Sequence, residues 1–154
     1  MKSLKNKVLL ARQLSFSEWL ILVEARWLLF GFHLALRWLS YDRLNKLMPS
    51  TTGKGLTSSS RRAYAERLKQ LIEISSRLHW SHITCLVKSF TLRWMLTRRG
   101  IPVQLCIGIG KTSDGVHAHA WVEMAGMPIS EASDIADRFK ILGSVEQLLP
   151  VDFD

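Results

Sequence analysis

A chain of 154 residues with 47% hydrophobic side chains is long enough to build one domain around a real core. A charged fraction of 22% and a mean hydropathy near zero exclude a disordered tail. The formal net charge of +8 points to an acidic peptide, a membrane surface or nucleic acid as partner, without choosing among them.

The basic start MKSLKNKVLLARQ lacks the long apolar core and small-residue cleavage site of a secretory signal. The two cysteines, Cys85 and Cys106, form no CxxC pair, which favours reduced thiols in a cytoplasmic protein. In SFSEW, Ser15 or Ser17 is suited to cap a helix that has Glu18 in its first turn. The stretch that follows, WLILVEARWLLFGFHLALRWL (19–39), has the length of a membrane span. It also holds Glu24, Arg26, His33 and Arg37, and such a charge costs about 2.5–3.5 kcal/mol at mid-bilayer. Arg26, His33, Arg37 and Ser40 fall along one side of a helical wheel. The reading is a very apolar amphipathic helix to about Tyr41, buried on most sides against the domain or a partner, with membrane association as the alternative. YDRLNKLM continues this helix or adds a turn.

PSTTGKGLTSSS (49–60) has the composition of a flexible linker, which divides the chain into an N-terminal helical extension over 1–60 and a second unit over 61–154. The extension, with one dominant helix, is a poor independent domain. RRAYAERLKQLIEISSRL (61–78) spaces Tyr64, Leu68, Leu71, Ile72 and Leu78 as one face of an amphipathic helix. After the break HWSHITC, Ser81 is placed to cap a further helix over roughly 82–98, which Gly100 ends and Pro102 keeps from continuing. VQLCIGIG (103–110) and VHAHAWVEM (116–124) alternate strictly and flank the polar turn KTSDG, so they predict a β-hairpin. A second turn at AGM, permitted by Gly126, leads into a short strand over 127–130. FKILG (139–143) reads as a further strand and SVEQLL as a short final helix. No internal repeat is present, and helices followed by a small antiparallel sheet define an α+β fold.

Two features bear on chemistry. Cys85 comes early in a helix, where unpaired backbone N–H groups and the positive end of the dipole favour a thiolate, the nucleophilic form. His119 lies on a strand and shares a face with His117, while Val116, Ala118 and Ala120 point the other way. A cysteine opening a helix and facing a histidine on a strand is the papain-like and transglutaminase-like arrangement. Glu131 and Asp134 are the acidic residues placed to orient the imidazole. The competing readings are bland ones: a buried structural cysteine, and polar residues on a sheet face. A zinc site combining His117 and His119 with His79, His82 or Cys85 lacks any compact ligand spacing. Cys106, mid-strand, reads as a packing residue. No phosphate-binding GxxxxGK[ST] loop occurs. The basic LTRRG (96–100) is explained more cheaply by the helix dipole than by nucleic acid.

CLVKSFTLRWMLTRRGIPVQLCIGI followed by HAHAWVEMAGMPI resembles the transglutaminase-like cysteine peptidase domain of the lasso-peptide biosynthesis B proteins, most closely over about 85–135. SEWLILVEARWLLF resembles the apolar helix that precedes it. The resemblance implies a papain/transglutaminase-like core, a nucleophile helix packed on a small antiparallel sheet, over 61–154. It implies a cysteine peptidase that removes the leader from a ribosomally made precursor before a separate enzyme closes the ring. Carried over by position, Cys85 is the nucleophile, with its backbone N–H in the oxyanion hole, and His119 is the general base. The family's acid is usually Asp; here the matching position holds Glu131, with Asp134 as the alternative. Trp80, His82, His117 and Trp121 are candidate cleft residues, and neither metal nor cofactor is expected. The length matches the split (B2) form, which has no winged-helix leader-binding domain. The implied partners are the precursor, a separate leader-recognition protein and an asparagine-synthetase-like cyclase, and not nucleic acid. Helix 19–39 would then be a docking surface for the recognition protein, or a peripheral contact with a membrane. A transglutaminase-like acyltransferase and a non-catalytic basic adaptor are the alternative functions.

Overall fold

The structure, a computed structural model, describes residues 14–49, 58–77, 83–112, 115–129 and 135–144. Helix α1 (Phe16–Trp38) opens with a capping box. The Glu18 amide donates to Ser15 Oγ at 3.3 Å and the Ser15 amide donates to Glu18 Oε2 at 2.9 Å, which satisfies two of the donors a helix start leaves open. That backbone hydrogen bond from Ser15, reinforced by Arg67, holds the Glu18 carboxyl below its ordinary pKa. Rather than continuing through YDRLNKLM, the helix stops. Leu39 and Ser40 take extended backbone, and a separate helix α2 (Tyr41–Lys46) follows. The break lets the chain turn and buries Leu44 in the same core as α1.

Helix α3 (Ser58–Arg77) buries Ala65, Leu68, Leu71 and Ile72 at helical spacing. Helix α4 (Cys85–Arg98) is capped by Thr84, whose hydroxyl accepts from the Val87 amide, and not by Ser81, which lies outside the described residues. It ends at Arg99 in a Schellman arrangement. The Gly100 amide donates to Thr97 O at 2.9 Å, the Ile101 amide donates to Leu96 O at 3.0 Å, and Gly100 takes a φ of 74°. Only glycine adopts that φ without cost.

Strands β1 (Gln104–Thr112), β2 (Gly115–Met124), β3 (Met127–Pro128) and β4 (Lys140–Ser144) form one antiparallel sheet in the order β3-β2-β1-β4. A single-turn helix α5 (Ile135–Arg138) precedes β4. The expected final helix over SVEQLL lies outside the described residues, apart from Ser144, which ends β4. The turn between β2 and β3 is Ala125-Gly126, both at positive φ, as a two-residue hairpin requires.

Alternation on the sheet separates two apolar clusters. Leu105 and its partner Val122 face the helices and join the main core with Phe90, Met95, Leu68 and Ile72. Cys106 and its partner Trp121 face the other side, where Ile135 and Phe139 cover them. Helix α1 belongs to the main core through Ala25, Leu29 and Phe32, and the Phe32 ring packs on Phe90 and Trp94 with centroids at 5.3 and 5.6 Å. Ion pairs add to this join: Glu18 pairs with Arg67 on α3, and Glu24 pairs with Arg98 and Arg99. The double arginine of LTRRG therefore has a specific use, as a clamp on an acid of the apolar helix.

Candidate active site

Because Thr84 is the cap, Cys85 is the first residue of α4. The first intrahelical bond at this end runs from the Lys88 amide to Thr84 O at 3.2 Å, and Thr84 Oγ1 takes the Val87 amide. The Cys85 and Leu86 amides precede that ladder and point out of the helix end, where they suit an anion. The Cys85 thiol is half-buried.

One helical turn further, Ser89 is buried, and its hydroxyl donates to Ala120 O on β2 at 2.8 Å. This bond closes a stretch of β2 edge that β3 does not reach, since β3 pairs only with Glu123 and Met124. It also fixes the register between helix and strand. Cys85 lies four residues before the donor, and His119 lies one residue before the acceptor. Both line a cleft of about 330 Å3, together with Ile83, Lys88, Ser89 and Trp121. Lys88 also lines it and is held by Glu73, with its Nζ at 3.0 Å from the carboxylate.

His119 pairs across the hairpin with Gly108, and its imidazole lies against two aromatic rings. It stacks near-parallel to Trp121 with centroids at 6.1 Å and meets Phe139 at 5.3 Å. Gly108 is what makes this wall fit. A Cβ there would stand 2.8 Å from Phe139 Cβ and 3.0 Å from the Trp121 ring, closer than side-chain carbons approach. At Gly110, on the same face, a Cβ would stand 2.8 Å from the Arg138 carbonyl.

The residues singled out in the sequence are thus distributed unevenly. Cys85, His119 and Trp121 meet at one cleft. His117 is exposed near the open end of the hairpin and is not among the cleft's lining residues. Trp80, His82, Glu131 and Asp134 lie outside the described residues. Among the described residues, no three His, Cys, Asp or Glu side chains gather as a metal-ligand set. Ser89 and the Glu73–Lys88 pair did not stand out in the sequence. The spacing of four between Cys85 and Ser89, which puts both on one helix face, was the available signal for the serine. Cys106 has a different setting. It is buried beneath α5, its thiol is pushed up from 9.0 to about 12 by burial and then by the Glu123 carboxylate, and Trp121 Nε1 donates to that carboxylate at 2.8 Å.

Comparison with known proteins agrees with this architecture. Over a stretch of 61 residues the chain is 30% identical to the microcin J25-processing protein McjB of Escherichia coli. That stretch covers 40% of this chain and 28% of the relative, so the chain spans well under a third of that protein's length in the match. No solved structure matches at comparable stringency. A family model described as the transglutaminase-like superfamily matches residues 19–144, from within α1 to the end of β4. The α+β arrangement of a cysteine-led helix against a small antiparallel sheet is therefore that of a transglutaminase-like domain, and the chain belongs to the transglutaminase-like superfamily.

Proposed function

We propose that this protein is a B2-type cysteine peptidase of lasso-peptide biosynthesis, which removes the leader from a ribosomally made precursor before a separate enzyme forms the ring. The observation that carries the reading is the shared cleft, which brings the first residue of a helix, Cys85, together with a histidine of the adjacent strand, His119. Membership of the transglutaminase-like superfamily and the similarity to a microcin-processing protein support it.

In the proposed reaction, His119 takes the Cys85 proton and the thiolate sulfur attacks the carbonyl carbon at the leader–core junction. The oxygen of the tetrahedral intermediate is received at the helix start, where the Cys85 amide is placed to donate to it. His119 returns the proton to the leaving amine, and the C–N bond breaks. Water, deprotonated by His119, then splits the thioester and regenerates the thiol. Glu131 or Asp134 completes the set by holding the imidazolium. Ser89 acts through position, since its bond to Ala120 holds the strand carrying His119 against the helix carrying Cys85. The proposed setting is cytoplasmic, with a leader-recognition protein and an asparagine-synthetase-like cyclase as partners and no cofactor.

The test is mass spectrometry of a lasso precursor incubated with the purified protein and its leader-recognition partner. Wild type is expected to yield leader and core that together exceed the precursor by one water. Cys85→Ala and His119→Ala are each expected to slow this on the order of 10^3-fold or more while keeping the folded circular-dichroism spectrum. Full cleavage by a folded Cys85→Ala protein rejects the assignment. Products that join two substrates with loss of an amine would instead identify acyl transfer.

A further inference from the structure

Helix α1 has two apolar faces, and among the described residues only one of them is packed into the core. Leu22, Ala25, Leu29 and Phe32 are buried against the helical core, while Phe16, Trp19, Val23, Trp27, Phe30 and Trp38 are exposed. At 100° per residue these six lie within an arc of about 100° on the opposite side, along a helix about 35 Å long. The exposure is extensive: Trp27 is 70% exposed, Phe16 80% and Trp38 84%. Isolated exposed apolar residues are ordinary on a protein surface, but a continuous stripe of this length marks a contact.

We propose that this stripe seats the protein on an anionic lipid bilayer, with α1 lying along the boundary between headgroups and acyl chains. The charges favour this occupant. The two acids of α1 are both engaged with the protein body, Glu18 with Arg67 and Glu24 with Arg98 and Arg99, so they are neutralised away from the stripe. Among the described side chains, the exposed charges beside it are Arg26 and Arg37, followed by Arg43 and Lys46 on α2, in a chain of net charge +8. Three of the stripe's residues are tryptophans, whose ring and N–H suit the wet edge of a membrane. The stripe is a ridge along a single helix, which a bilayer accommodates by parting its headgroups. The helix is long and apolar enough to cross a membrane. Crossing would tear its buried face out of the core, whereas lying on the surface keeps every contact of the fold.

Cosedimentation of the full chain with vesicles tests this. The wild type is expected to pellet with phosphatidylglycerol/phosphatidylcholine vesicles and to bind pure phosphatidylcholine far more weakly. A Trp27→Glu, Phe30→Glu double variant should lose roughly tenfold or more of the binding. An Arg26→Gln, Arg37→Gln double variant should lose about fivefold for each arginine removed, and added salt should mimic it. All four side chains are exposed, and thermal melts check that the variants fold; if the glutamate variant fails to fold, the arginine variant and the salt series still decide. Wild type that stays in the supernatant, or that binds neutral and anionic vesicles equally, overturns the proposal. So does a lipid-free dimer, seen by sedimentation velocity, that the Trp27→Glu, Phe30→Glu variant dissolves, because the stripe would then be covered by a second copy.

Discussion

Cys85 opens a helix at the rim of a cleft, half-buried, beside backbone amides that lie outside the helical ladder. Cys106 sits mid-strand on the far side of the sheet, sealed by Trp121, Ile135 and Phe139 and facing the Glu123 carboxylate. The side chain is the same, but the neighbours differ in both solvent and charge. An anion at Cys106 would be buried next to another anion, so the proton stays. At Cys85 the nearest fixed dipoles are donors, and solvent or substrate has access. The local secondary structure, more than the residue type, therefore separates a packing thiol from a candidate nucleophile.

Alkylation tests this contrast most directly. Raised from 9.0 to about 12, the Cys106 thiol holds about a thousandth of the thiolate that an ordinary cysteine holds at neutral pH. Peptide mapping after brief iodoacetamide treatment should find Cys85 modified and Cys106 untouched, until pH approaches 12 or the chain unfolds. The same shift has a thermodynamic sign. The unfolded chain releases this proton near pH 9 and the folded one only near 12, so the contribution of Cys106 to stability is complete below about pH 9 and is lost as pH rises to about 12. Early labelling of Cys106 in the folded protein would remove the distinction.

A smaller effect tests the wall that the two regions share. Gly108→Ala puts a Cβ 2.8 Å from Phe139 and 3.0 Å from the Trp121 ring, which should cost about 1–3 kcal/mol in urea unfolding. It should also move the rings against which His119 packs, so activity should fall along with stability. The smallest change concerns the helix end alone. Thr84→Ala removes the hydroxyl that takes the Val87 amide and should lower stability by about 1 kcal/mol in a thermal melt, while leaving Cys106 as protected as before.

Much of this architecture is legible from short-range pattern. The alternation of VQLCIGIG and VHAHAWVEM marked β1 and β2, Gly100 and Pro102 marked the end of α4, and the spacing of Leu68, Leu71 and Ile72 marked the buried face of α3. Ser15 or Ser17 with Glu18 in the first turn marks the start of α1, and the structure selects Ser15 as the cap. These signals are local because a turn, a cap or a face depends on residues within a few positions of one another. Several polar residues in HWSHITC, Ser81 among them, suit the cap of α4, and only the backbone shows that Thr84 takes the role. The division at the linker over 49–60 likewise says nothing of how deeply α1 enters the core through Ala25, Leu29 and Phe32.

The elements, their order, and a thiol at a helix start with a histidine on a strand all follow from local sequence pattern. Which residues meet depends on how those elements pack. The packing brought His119 and not His117 to the cleft lining, enlisted Ser89 to lock strand to helix, and gave Glu24 its arginines. It also split the apolar surface of α1 into a buried half and an exposed one. Periodicity could report that α1 is apolar on most sides, but only packing against α3 and α4 decides which of those sides is left facing outward.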